Sequence, residues 1–138
     1  MDEKRKLLKV IENRYSSKHF VAEHTTDELT AVCPTTSLPD FYSIRIVYEP
    51  DKYLIELKSL KFYFNSFRNE GIYHEELINR VVEDFIEVVK PRWLFVELKV
   101  KVRGGIYTTV RRFWSREGGD DIKRAIEGVS FNPSEEPL

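Results

Sequence analysis

Cys33 is the sole cysteine of this 138-residue chain, and Asp40 follows it seven residues later. A thiolate adds to an electrophilic carbon, and the atom beside that carbon then needs a proton, which a nearby carboxyl group can supply. Pro34-Thr35-Thr36-Ser37-Leu38-Pro39 separates the two residues, a connection long enough to fold back and bring the side chains together. Two plainer readings compete. Free cysteine often acts as a small buried hydrophobe, and Asp40, ending a loop, fits a turn residue or cap. The Thr-, Ser- and Pro-rich setting favours the reactive reading of Cys33, because loops hold reactive groups more often than cores do.

Lys58 and Lys61 stand three apart where a strand pattern gives way to a helical one. That spacing puts both ammonium groups on one side of a first helical turn. A helix N-terminus carries free N–H groups and the positive end of the dipole, so lysines there suit a phosphate; a solvated face is the alternative. His74-Glu75-Glu76 opens a second helix. Acidic residues belong there on dipole grounds alone, but His74 with Glu75 equally suits a pair that reads the edge of a heterocycle, the carboxylate accepting ring and exocyclic N–H groups. His19 and His24 lack metal-ligand spacing, so no metal site is expected. There is no GxGxxG, which excludes a Rossmann nucleotide site.

These residues need elements to position them. Phe41 to Glu49 alternates, with Tyr42, Ile44, Ile46 and Tyr48 on one face, and predicts a strand. Glu49-Pro50-Asp51 predicts a turn and Lys52 to Glu56 a returning strand, giving a hairpin. Leu60, Phe64 and Phe67 recur at helical spacing, with Gly71 as a left-handed stop. A second helix is predicted from about His74 to Lys90, its apolar stripe running from Leu77 to Val89, ended by Pro91. Trp93 to Arg103 alternates again, and Gly104-Gly105 predicts a tight turn into a last strand, Ile106 to Phe113. Beyond Glu117 at most one short helix is expected, near Asp121 to Ile126.

The order ββααββ predicts an α+β fold: a four-stranded antiparallel sheet with two helices packed on one face. Residues 1–138 are expected to form one domain, with 1–30 as an N-terminal arm and 118–138 as a C-terminal tail. Open sheet edges must be covered or paired, so a homo-oligomer is expected.

The balance of 22 Lys and Arg against 23 Asp and Glu gives a net charge of −1. That offers no long-range pull on nucleic acid or an anionic membrane, so direct nucleic-acid binding is not expected and any anion site is local. One cysteine builds neither an internal disulfide nor a cysteine zinc site, which fits a reducing compartment. No apolar run approaches a membrane span of ~20 residues, and the charged start does not resemble a signal peptide. The expectation is a cytoplasmic protein with no membrane contact.

Taken together, the motifs resemble those of the single-module NADPH-dependent 7-cyano-7-deazaguanine reductases, nitrile reductases of queuosine biosynthesis, a tRNA modification. Glu56-Leu57-Lys58-Ser59-Leu60-Lys61-Phe62-Tyr63 looks like the family signature E-[SL]-K-S-x-K-x-[YFW]. Cys33-Pro34 and Asp40 precede it, and Asn65 to Asn69 and His74-Glu75 follow, at the family's spacing. The resemblance covers Ala31 to about Ile106. It weakens after Gly105, where Tyr107 to Ser115 departs from the pattern, and Arg111, Arg112 and Arg116 receive no role from it.

The resemblance implies a tunnelling fold in which subunits pair sheet edges into a barrel, with active sites between subunits and commonly two stacked pentamers, a decamer. It implies that Cys33 adds to the nitrile carbon to give a covalent thioimide and that Asp40 protonates the nitrogen. It implies that Ile55, Glu56, Leu57, His74 and Glu75 hold the deazaguanine and that Lys58, Lys61 and Arg103 face the NADPH phosphates. A nitrile accepts hydride poorly, and thiolate addition converts it to a C=N bond that accepts hydride once protonated. This use predicts a lowered Cys33 pKa. Two alternatives are separable from it. Archaeal relatives transfer an amine onto deazaguanine in tRNA without NADPH and lack the lysine signature; a non-catalytic purine-binding oligomer would not need Cys33 at all.

Overall fold

The computed structural model describes residues 2–130. Its centre is an antiparallel sheet built on β3 (Pro39–Glu49), whose alternation buries Asp40, Tyr42, Ile44, Ile46 and Tyr48 on one side. β2 (Ala22–Val32) pairs with one edge of β3, and β5 (Trp93–Arg103) with the other. β6 (Ile106–Ser115) continues beyond β5, and the two-residue β7 (Gly119–Asp120) closes that side, giving the order β2-β3-β5-β6-β7. The Gly104-Gly105 turn between β5 and β6 has both residues at positive φ, 58° and 77°, the geometry of a tight hairpin that only glycine adopts without strain.

The expected antiparallel sheet with helices is present, but its membership differs from the sequence reading. The returning strand, β4 (Tyr53–Ile55), does not pair with β3; it pairs with β1 (Val10–Glu12) in a separate two-stranded sheet. The reason is steric: both edges of β3 are already taken. Arg92 and Asn13 hold the intervening turn away from the sheet. The guanidinium donates to the carbonyl of Pro50 at 3.0 Å and to Asp51 at 3.1 Å, and Asn13 Nδ2 donates to the carbonyl of Asp51 at 2.8 Å.

Residues 1–30, expected as an arm, supply α1 (Asp2–Arg5), β1 and most of β2. β2 escapes a periodicity reading because it is an edge strand, where Leu29 and Ala31 are its only buried side chains. A bulge at Asp27-Glu28 also breaks its alternation. α1 is fastened by ion pairs: Arg5 reaches the buried Asp84 at 2.7 Å, and Lys4 meets Glu70 at 3.1 Å.

α2 (Leu57–Asn65) and α3 (His74–Val89) pack on the sheet face that carries Tyr42, Ile44, Ile46, Leu94, Val96 and Leu98, and the core lies between. α2 ends at a Ser66 cap in ordinary helical backbone, so Gly71 is not its left-handed stop; instead Gly71 forms a parallel bridge with Val32. α3 does end before Pro91, through a left-handed Lys90 at φ 53°. α4 (Ile122–Ser130) follows β7 and sets Ala125 into the fold. Among the described residues no helix is long and apolar enough to cross a membrane.

Candidate active site

The β2–β3 hairpin brings Cys33 and Asp40 to one end of the sheet. Val32 pairs with Pro39 and Ala31 with Asp40, so the six residues between Cys33 and Asp40 are spent on the loop and the last rung. The Cys33 N–H donates to the carbonyl of Leu38 at 2.9 Å, and the Cys33 carbonyl accepts the N–H of Ser37 at 2.8 Å. That second bond closes one helical turn with Cys33 at its start, and Ser37 leaves the turn at φ 63°.

A side chain in this capping position faces the amides two and three residues on. The Thr36 hydroxyl, the Thr36 and Thr35 amides and the Arg103 guanidinium push the Cys33 thiol down to about 7, against a smaller desolvation effect. The Thr36 oxygen itself accepts the Leu38 N–H at 3.2 Å, which leaves its hydrogen for the sulfur. The direction is the one nucleophilic use requires.

Asp40 is 1% exposed, and a buried carboxylate needs a partner. Arg103, at the end of β5, donates to its Oδ1, and its charge also favours the Cys33 thiolate. The guanidinium therefore joins the two candidate catalytic groups, while the sequence reading sends Arg103 to the cofactor phosphates.

The second wall is the segment leading into α3. Val32 N–H donates to the carbonyl of Glu70 at 2.9 Å, and Ile72 N–H returns a bond to Val32 at 3.0 Å. Tyr73 shares a 2.6 Å hydroxyl contact with Thr35 in the Cys33 loop. His74 then opens α3 with Nδ1 2.8 Å from the Tyr42 hydroxyl. Glu75 follows on the rim of a 560 Å³ groove shared with Asn79, Arg111 and Arg112. Cys33, Asp40, His74 and Glu75 thus surround Tyr42: burial first, and then the charges of Asp40, Cys33 and Glu75, push the Tyr42 phenol well up. Tyr42 and Thr36 escaped the sequence reading of the site. The signal for Tyr42 was present, since it lies two residues beyond Asp40 and so on the same face of a strand.

The signature residues lie elsewhere in the chain. Ile55 is buried in the core at 4% exposure, and Leu57 is 56% exposed. Glu56 caps α2, its carboxylate accepting the N–H groups of Lys58 at 2.9 Å and Ser59 at 2.8 Å. Lys58 is exposed over the Phe62 ring. Lys61 lines a groove of 640 Å³ with Glu23, His24, Thr26 and Phe64. That groove borders the first half of β2 while Cys33 follows its far end, roughly 20 Å away at ~3.3 Å per strand residue. One chain does not bring the lysines to the thiol. The three unassigned arginines are all paired: Arg111 with the buried Glu97 at 2.6 Å, Arg112 with Asp120 at 2.7 Å and Arg116 with Asp51 at 2.8 Å.

Comparison with known proteins gives this geometry its relatives. The profile of the QueF-like protein family matches residues 39–118, which include Asp40 and the lysine signature. A protein of Chlorobium phaeovibrioides named NADPH-dependent 7-cyano-7-deazaguanine reductase is 43% identical over 83% of this chain and 99% of its own length. Proteins of the same name from Chlorobium luteolum and Rhodopirellula baltica are 47% identical over 78% of this chain and 45% identical over 77%, covering 92% and 88% of the relatives. Among solved structures, an archaeosine synthase QueF-Like in the apo form superposes with a TM-score of 0.64 at 24% identity, over 67% of this chain and 91% of that one. That likeness speaks to the fold. With more than half its length matched by the family profile and close relatives matched almost end to end, this chain belongs to the QueF-like protein family.

Proposed function

We propose that this protein is an NADPH-dependent oxidoreductase that reduces the nitrile of 7-cyano-7-deazaguanine to the primary amine in queuosine biosynthesis. The observation that carries the reading is the hairpin mouth, where a thiol pushed down to about 7 shares one guanidinium with a buried carboxylate. The names of relatives at 43% and 47% identity support the substrate and the cofactor.

In this reading the Cys33 sulfur adds to the nitrile carbon. The thiol proton passes to Asp40, and Asp40 hands it to the nitrile nitrogen, so that S–H is added across C≡N as a thioimide. Arg103 holds the Asp40 carboxyl group in place beside the reacting atoms and stabilises the thiolate, the form that attacks. His74 and Glu75 hold the heterocycle. Ile55, Glu56 and Leu57 complete its pocket. Glu56 is the least free of these, because its carboxylate is already committed to the α2 cap. When bound, NADPH would supply the hydride for each of the two reductions that take the nitrile carbon to the amine. Lys58 and Lys61 fit its phosphates: both ammonium groups are exposed on the first turns of α2, and Lys61 borders an open groove.

Because the lysines and Cys33 lie at opposite ends of β2, the complete site takes groups from two copies of this single-domain chain. Paired sheet edges in a homo-oligomer, a decamer of two pentamers, would provide it: among the described residues the outer edge of β2 meets no strand, only Gly71 at Val32. A cytoplasmic location accords with the reduced thiol. The test is to mix the protein with 7-cyano-7-deazaguanine, record intact mass, and then add NADPH. An adduct on Cys33 followed by oxidation of two NADPH per nitrile is the expected result. An adduct without NADPH oxidation would indicate amine transfer, and no adduct would end the covalent reading.

A further inference from the structure

Tyr42 is 2% exposed, and its hydroxyl meets Nδ1 of His74 at 2.8 Å. The two rings cross edge to face, their centroids 5.5 Å apart at 76°. A neutral imidazole donates from one nitrogen and accepts at the other, so this contact decides what the remaining nitrogen offers. Were the proton on Nδ1, the imidazole would donate to the phenol oxygen. The phenol's own hydrogen would then be buried without an acceptor, because among the described residues His74 is the only partner of the Tyr42 hydroxyl. A buried donor left unmade is costly. Ionising the phenol offers no escape, since burial and the neighbouring Asp40, Cys33 and Glu75 keep it protonated. The arrangement that satisfies every group has Tyr42 donating to Nδ1 and the imidazole proton on Nε2. Among the described residues Nε2 has no partner.

We propose that Tyr42 is a positioning residue that fixes His74 in its Nε2–H tautomer, so that His74 presents a hydrogen-bond donor to the bound heterocycle beside the acceptor carboxylate of Glu75. A donor next to an acceptor fits an edge on which a ring carbonyl adjoins N–H groups, the guanine-type edge, and mismatches the adenine-type edge, where an amino group adjoins an unprotonated ring nitrogen. The identity of the ligand rests on the reductase reading; the tautomer does not.

The test uses the whole protein labelled with 15N-histidine and magic-angle-spinning 15N NMR, which separates protonated from bare imidazole nitrogens in an assembly of any size. The chain has three histidines, and the difference from a His74→Gln sample assigns the signals. The expected result is a bare Nδ1 and a protonated Nε2 on His74 in the unmodified protein, and a mixture of tautomers in Tyr42→Phe. That variant should raise the KM for 7-cyano-7-deazaguanine by about tenfold, with kcat within about twofold and the pH profile of Cys33 alkylation unchanged. A protonated Nδ1 in the unmodified protein overturns the proposal without any variant. So does a Tyr42→Phe protein with the same His74 tautomer, or with a changed tautomer and an unchanged KM. The NMR readout needs no substrate, so failure of the reductase reading appears separately, as the absence of a Cys33 adduct.

Discussion

Arg103 at the end of β5 donates to Asp40 at the start of β3, and the same guanidinium helps to lower the pKa of the Cys33 thiol. The two candidate reacting groups therefore share one cation, and its charge favours the thiolate form of Cys33.

Cys33 alkylation by iodoacetamide, followed against pH without substrate, should show its inflection near the value of about 7 that the thiol takes in the fold. A lowered pKa means that the thiolate is already dominant at pH 8, so the rate should be flat above that point. A rate still climbing through ~8.5, the free-thiol value, would remove the case for an activated nucleophile. Cys33→Ala should abolish both the adduct and turnover.

Thr36→Val and Arg103→Gln should each move that inflection upward, because each removes a group that favours the charged sulfur. Thr36 is the largest contributor, so its variant should move it further. Arg103→Gln should also lower kcat, on the order of tenfold to a hundredfold, by loosening Asp40. If Arg103→Gln changes only the KM for NADPH, the guanidinium serves the cofactor and not the thiol.

Replacing Lys58 and Lys61 by Ala should raise the KM for NADPH by about tenfold, the scale of one or two charge-assisted bonds. The KM for the nitrile and the alkylation profile should hold, because neither lysine reaches Cys33 within the chain. Equal effects on both Michaelis constants would sink the cofactor assignment.

Alkaline pH should destabilise the fold through its buried phenols. Desolvation pushes the pKa of Tyr63, Tyr42 and Tyr48 up in the folded state. Above ~10 the unfolded chain releases phenolic protons that the folded one retains, so stability falls with rising pH by about 1.4 kcal/mol per unit for each phenol. Thermal unfolding between pH 9 and 12 measures this. Tyr63→Phe should flatten the slope, at a cost of about 1–3 kcal/mol near neutral pH from the lost 2.6 Å bond to the buried Asp84. A midpoint that does not depend on pH over that range would contradict the burial of these hydroxyls.

The sequence by itself determined the elements that carry a strong period. β3, β5, β6 and α3 are visible in their alternation or apolar stripe, and Gly104-Gly105 marks its turn, because each of these buries one regular face. It also placed Cys33, Asp40, His74 and Glu75 as candidates, since their types and spacing have chemical meaning without any coordinates. Tertiary structure alone decided the partner of β3. An edge strand that buries only Leu29 and Ala31 and carries a bulge has no period to read, so Ala22–Val32 passed for an arm, and Tyr53–Ile55 was given a partner whose edges were already full. The role of Arg103 was likewise out of reach, and for Tyr42 the sequence showed only its place on the Asp40 face of β3, not its partner. Arg103 meets Asp40 across 63 positions of sequence, and Tyr42 looks like one more apolar residue of β3 until the fold sets His74 against its hydroxyl. Local pattern reports which face of an element is buried; only packing reports what that face meets.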